Sequence, residues 1–137
     1  MNDVKLEEID DLVYWGLFIE DAPKPSLEKA IEYPHITFGY KKPCPVELLG
    51  KEYDIFMYSY GNDGINEAYR ASIPIVLQKY YRGVFPIHVT ISTHKNALPV
   101  WSSVLNFDKF IPLPKNAKYK ARLGYFGTDG MLHFSLE

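Results

Sequence analysis

Phe85-Pro-Ile-His-Val-Thr-Ile-Ser-Thr93 reads as a β-strand more plainly than any other stretch of the chain. Ile87, Val89 and Ile91 alternate with His88, Thr90 and Ser92, and a strand turns successive side chains to opposite faces. One face is therefore apolar and suits a core; the other carries an imidazole and two hydroxyls. Such a strand needs partners, and the segments around it supply them. Glu67–Leu77 predicts a strand interrupted at Pro74, which lacks the N–H a sheet ladder uses. Asn62-Asp63-Gly64 turns it back on Tyr53–Tyr60, because glycine accepts the positive φ of a tight hairpin. His35–Tyr40 and the apolar run Tyr14–Ile19 predict two more strands.

Helices are few and short in this reading. Residues 4–13 form a short helix or an irregular lead-in. Ser26–Tyr33 predicts at most two helical turns with Ser26 as N-cap, and Leu98–Phe107 predicts a helix with Pro99 in its first turn. Lys79–Gly83 is a polar turn and Ile111–Pro114 a proline-bounded connection. Lys118–Phe126 and Met131–Leu136 form a hairpin around Thr128-Asp129-Gly130. About seven strands without the long crossovers of a doubly wound sheet make the fold class α+β.

The 137 residues suit a single domain, 1–137. Hydrophobic residues make up 47% and charged residues 23%, ordinary values for a globular chain. One cysteine, Cys44, allows no internal disulfide. There is no apolar run long enough to span a membrane, and the opening MNDVKLEEIDDLVYWG is acidic where a signal peptide is basic, so a cytoplasmic location is expected. A net charge of −2 argues against binding duplex nucleic acid, which rewards a strong basic excess. Aromatics at 15% fit a strand-rich fold and leave room for one or two stacking residues.

The chemistry lies in a repeated tetrad. His35-Ile36-Thr37-Phe38 and His88-Val89-Thr90-Ile91 each read histidine, apolar, threonine, apolar, in a chain with only four histidines. On a strand this pattern sets His and Thr side by side on one face and anchors the other face in the core. Two such strands brought together present two imidazoles and two hydroxyls to one space. That set suits a phosphodiester. One neutral histidine takes a proton, a protonated one delivers a proton to the departing oxygen, and the hydroxyls donate to the non-bridging oxygens. This division of labour requires no metal and no cofactor.

The duplicated element resembles the 2H phosphoesterase superfamily, named for its two His-x-Thr/Ser-x motifs. The apolar strand before the first tetrad, the strand pair between the tetrads and the helix expected after the second follow the family's order. The resemblance implies a compact fold of two pseudo-symmetric lobes of antiparallel sheet, with short flanking helices and a central cleft. It makes His35 and His88 catalytic, with Thr37 and Thr90 binding phosphate. The implied function is hydrolysis of a nucleotide or RNA-terminal 2′,3′-cyclic phosphate. Two alternatives stand beside it: a hydrolase of 3′,5′-linked cyclic oligonucleotide signals, as in phage enzymes that destroy immune signals, and an inactive module that binds nucleotides or RNA ends. Which histidine is the base stays open, because the two local sequences are equivalent.

Further candidates for substrate binding are Tyr14 and Tyr40 as stacking residues, Lys41 and Lys95 just past the two tetrads, and Ser102 at the start of the expected helix. His94 reads as a surface loop residue and His133 as structural.

Overall fold

Every strand pairing in the computed structural model is antiparallel. It describes residues 5–81, 86–95 and 110–136. The elements are β1 (Leu12–Ile19), β2 (Lys29–Ala30), β3 (His35–Tyr40), a single 3-10 turn (Val46–Leu48), β4 (Glu52–Asn62), β5 (Asn66–Ser72), α1 (Ile75–Gln78), β6 (His88–Thr93), β7 (Phe110–Gly127) and β8 (Leu132–His133). They form one sheet in the order β2-β6-β5-β4-β7-β1-β3, with β8 added on β7. Among the described residues the chain is mostly sheet with two short helical turns, the α+β class the alternation implies. Among the described residues, no helix is long and apolar enough to cross a membrane.

The apolar halves of the alternating strands converge on one core. Trp15 and Leu17 of β1, Ile36 and Phe38 of β3, Ile55 and Met57 of β4, Val89 and Ile91 of β6 and Leu123 of β7 are all buried there. The tetrad histidines and threonines accordingly lie on the opposite face of their strands. The sheet is strongly curled. In a flat sheet, strands five places apart in the order would be about 24 Å apart, yet β3 and β6 come within 8 Å of one another at their Cα atoms.

Several elements differ from expectation. Ser26–Tyr33 is not a helix but an extended segment containing β2, which pairs Lys29 with Thr93 and Ala30 with Ser92. Its backbone donors have partners outside the segment: Ser26 N–H goes to Glu67 Oε1 at 2.8 Å, Leu27 N–H to Ser92 Oγ at 3.1 Å and Ile31 N–H to the Ile91 carbonyl at 2.9 Å. These tertiary bonds outweigh the weak propensity of so short a stretch. Residues 5–11 contain no helix either; Glu7 bridges to Cys44 instead. The strand expected over 67–77 ends at Ser72, and the chain after Pro74 makes the short turn α1.

Ile111–Pro114 is not a connection but the start of the 18-residue β7. This half of β7 pairs only with β4, whereas the half from Ala121 onward also pairs with β1. Pro112 and Pro114 thus sit where one edge of the strand needs no donor. The helix expected over 98–107 lies outside the described residues. Both predicted hairpin glycines carry positive φ, 82° at Gly64 and 77° at Gly130, and Asp63 Oδ1 accepts from the N–H groups of Ile65 and Asn66 to fix the first turn.

Gly16 is a different case, required by close approach. It lies opposite Thr37 on β3 and Gly124 on β7, and a Cβ there would fall inside the van der Waals shell of the Ile36 carbonyl oxygen. Backbone of a paired strand has little room to yield. Gly16→Ala is expected to lower stability by roughly 3 kcal/mol, read as a lower urea midpoint at unchanged m-value. An unchanged midpoint would mean that β1 and β3 separate freely at this point.

Candidate active site

His35 opens β3 and His88 opens β6. Each ring is anchored in the same way. His35 Nδ1 lies 2.7 Å from the Tyr33 carbonyl oxygen, and His88 Nδ1 lies 3.1 Å from that of Pro86, in both cases the residue two positions earlier. A carbonyl only accepts, so Nδ1 carries the hydrogen in both rings and each neutral imidazole keeps its lone pair on Nε2. Two strand-opening histidines therefore present the same basic nitrogen, selected by the same local bond.

The charge of His88 reaches His35. Burial pushes the His35 pKa down to about 4; the bond to the Tyr33 carbonyl works against this, and the nearby His88 adds to the lowering. His88 is also lowered, first by burial and then by the guanidinium of Arg70, with the Pro86 carbonyl opposing. Simultaneous protonation of the pair is disfavoured, as two like charges sharing a site require.

Aromatic rings wall His35. Tyr14 stacks on it with centroids 4.5 Å apart and planes 16° from parallel, Phe18 lies at 5.3 Å, and Phe126 stacks on Tyr14 at 5.5 Å. Burial raises the Tyr14 phenol to about 12, so it stays protonated at physiological pH. Thr37 is exposed on the His35 face of β3, and half-buried Thr90 lies across from Ala68 on β5. Arg70, one register step from Ala68 on that face, pairs directly with His88, and its guanidinium sits 4.3 Å over the Phe110 ring. It is the cation that the sequence reading missed. Its position in EAYRASIPIVL gives a face parity, but parity does not say which strand lies alongside.

The alternation predicted through Ser92 breaks. The β5–β6 register shifts between Glu67 and Ala68, leaving Ile91 without a register partner on β5, and Ser92 then faces Glu67. Ser92 Oγ donates to Glu67 Oε1 at 2.7 Å and Tyr60 Oη donates to Oε2 at 2.5 Å. With the Ser26 N–H, these bonds outweigh a burial effect that alone would raise the Glu67 pKa, and hold it below the usual carboxylate value. The carboxylate ties the β2 segment to the strand that carries Thr90.

The other candidates are placed less centrally. Tyr40 is 60% exposed at the end of β3, across from Tyr14. Lys41 follows in a left-handed conformation, φ 52°, with its ammonium 5.7 Å from the Tyr40 ring centroid. Lys95 is exposed just past β6. Ser102 lies outside the described residues. His94 pairs with Glu28 at 3.3 Å, and His133 bonds Asp129 at 2.8 Å while stacking on Tyr125; neither joins the tetrad histidines. Among the described residues, no three His, Cys, Asp or Glu side chains gather as ligands for a metal ion. No protein-family model matches the chain, and no curated protein matches it.

Proposed function

We propose that this chain is a metal-independent phosphodiesterase of the 2H type, hydrolysing a nucleotide or RNA-terminal 2′,3′-cyclic phosphate. The observation that carries this reading is the matched pair: two histidines that open closely approaching strands, each with Nδ1 bound to the carbonyl two residues back and Nε2 left basic. A binding module needs one cation for a phosphate; acid–base transfer needs two poised nitrogens. Support for the finer two-lobed, pseudo-symmetric architecture comes from β3 and β6, which open with equivalent histidines and approach one another across the curl of the sheet.

His35, the histidine pushed to about 4, is the base. Its Nε2 takes a proton from water as the water oxygen forms a bond to phosphorus. The P–O3′ bond breaks, and protonated His88 gives its Nε2 proton to the departing ribose oxygen. One water is consumed, the product is a 2′-phosphate, and the two histidines exchange protonation states until solvent resets them. Thr37, Thr90 and Arg70 lie on the face from which donors reach the non-bridging oxygens as charge builds there. A bound phosphodiester anion stabilises the imidazolium that the empty site disfavours.

This assignment fixes the pH dependence. Both histidines are depressed in the free protein, and the reaction wants one neutral and one protonated. The kcat/KM profile, which reports the free enzyme, is expected to be a bell with its maximum between about 4 and the ordinary histidine value of 6.5. The kcat profile lies at higher pH, because the bound anion raises both groups. A kcat/KM that climbs steadily to pH 9 would exclude His88 as the acid.

The direct test is product analysis by ion exchange and mass spectrometry in EDTA. The substrates are 2′,3′-cyclic nucleotides, RNA ending in a 2′,3′-cyclic phosphate, and cyclic di- and trinucleotides. Turnover of the first two supports the proposal. Turnover confined to cyclic oligonucleotides would move the reaction to a 3′,5′ linkage, and binding of nucleotide without turnover would make the chain a binding module.

A further inference from the structure

Beside His35, on the same face of the sheet, lies a cavity of about 200 Å³ that the reaction above leaves unused. Phe18, Tyr33 and Phe134 are its aromatic lining, and Glu20, Glu32 and Arg122 its charged groups. It shares two residues with the histidine's surroundings: Phe18 pairs with His35 across β1 and β3, and the Tyr33 carbonyl anchors the His35 ring. The volume is below the roughly 300–1,000 Å³ of sites that enclose a drug-sized ligand. It suits one planar ring whose remainder extends out of the pocket, toward the histidine.

The charge pattern says what kind of ring. Arg122 is held by two carboxylates, Glu20 at 3.4 Å and Glu52 at 3.2 Å, and its guanidinium lies 5.3 Å from the Phe134 ring centroid. Its charge is thus already neutralised. Glu32 adds a further carboxylate, hydrogen-bonded to the Tyr33 phenol, whose pKa the Glu32 charge raises. The surplus is negative, which repels a phosphate and favours hydrogen-bond donors, because an ionised carboxylate only accepts. Among the four common bases, guanine alone presents two adjacent donors, N1–H and the N2 amino group, on its pairing edge. Adenine and cytosine place a ring-nitrogen acceptor next to their amino group, and uracil has one N–H between two carbonyls.

We infer that this cavity is a guanine subsite: the base packs among Phe18, Tyr33 and Phe134 with its N1–H and N2 amino edge toward the carboxylates, and its ribose phosphate reaches His35. The inference rests on the phosphodiesterase reading and specifies its substrate as guanosine 2′,3′-cyclic phosphate, free or at an RNA end.

Two measurements on the full chain separate this inference from the reading beneath it. One compares kcat/KM for the four nucleoside 2′,3′-cyclic phosphates; the other titrates guanosine, adenosine, cytidine and uridine, which carry no phosphate, by NMR. Guanosine is expected to bind, and its cyclic phosphate to lead the others by at least about tenfold, since a site built for donors leaves polar groups unpaired with the wrong base. Glu32→Gln is expected to weaken guanosine binding and narrow that lead, whereas His35→Ala, with the cavity intact, still binds guanosine. Equal turnover of all four substrates, with no nucleoside preferred, would overturn the subsite and leave the phosphodiesterase standing. Guanosine binding without turnover of any substrate would do the reverse. Preferential binding of an organic cation such as choline over guanosine would also overturn the subsite.

Discussion

His35→Ala and His88→Ala are each expected to lower turnover of the cyclic phosphate by about 10²- to 10⁴-fold, the usual range for removing a general base or acid. Substrate affinity should change much less, because the proposed mechanism binds the oxygens through hydroxyls and a guanidinium that neither variant removes. If the two histidines are base and acid of one transition state, the double variant should be scarcely slower than either single one, since losses within such a unit do not add. The pH profile separates this result from structural damage. His35→Ala removes the limb that the base contributes and leaves the descending limb of the acid; His88→Ala does the opposite. Equal losses with an unshifted bell would mean that both rings only support the sheet. Arg70 pairs directly with His88 and helps lower its pKa. Arg70→Gln relieves that repulsion, so the descending limb should move to higher pH even as the rate falls.

The part of this site legible in the sequence is the part written at short range. Alternation in HITF and HVTI puts each histidine beside its threonine and opposite a core residue, and the structure buries Ile36, Phe38, Val89 and Ile91 accordingly. The hairpin glycines were legible for the same reason, since a two- or three-residue turn carries its own conformational demand. What escaped depends on strand order. Arg70 becomes a neighbour of His88 only because β5 pairs with β6, and Phe18 a neighbour of His35 only because β1 pairs with β3. The Ser26–Tyr33 segment failed differently. Its local signal for helix was real but weak, and the hydrogen bonds that hold it extended come from Glu67 and Ser92, at least 41 residues away. The prolines of β7 likewise read as breakers until the one-sided pairing of that half is known.

Glu67→Ala is expected to damage both stability and substrate binding. The side chain is 2% exposed and accepts from Ser26 N–H, Ser92 Oγ and Tyr60 Oη. Alanine leaves those donors without their carboxylate, at a cost of roughly 3 kcal/mol. Because Ser92 is two residues beyond Thr90, a higher KM should accompany the lost stability. The pH dependence identifies the charge as the cause. Glu67 is held below its ordinary value of 4.5, so its contribution is present above that pH and is lost as pH falls through the native-state value. The urea-stability gap between wild type and Glu67→Ala should therefore be widest near neutrality and shrink as pH falls below 4.5. The histidines act in an earlier window. With His35 at about 4 in the folded chain against 6.5 unfolded, the unfolded state binds the extra proton between those values. Wild-type stability should then decline as pH falls from 6.5 toward 4, by up to about 3 kcal/mol from His35. His35→Ala should flatten that first decline and leave the Glu67 limb in place, while Glu67→Gln should do the opposite. A gap between wild type and Glu67→Ala that stays constant from pH 7.5 to pH 3.5 would mean that the network needs the shape of the side chain and not its charge.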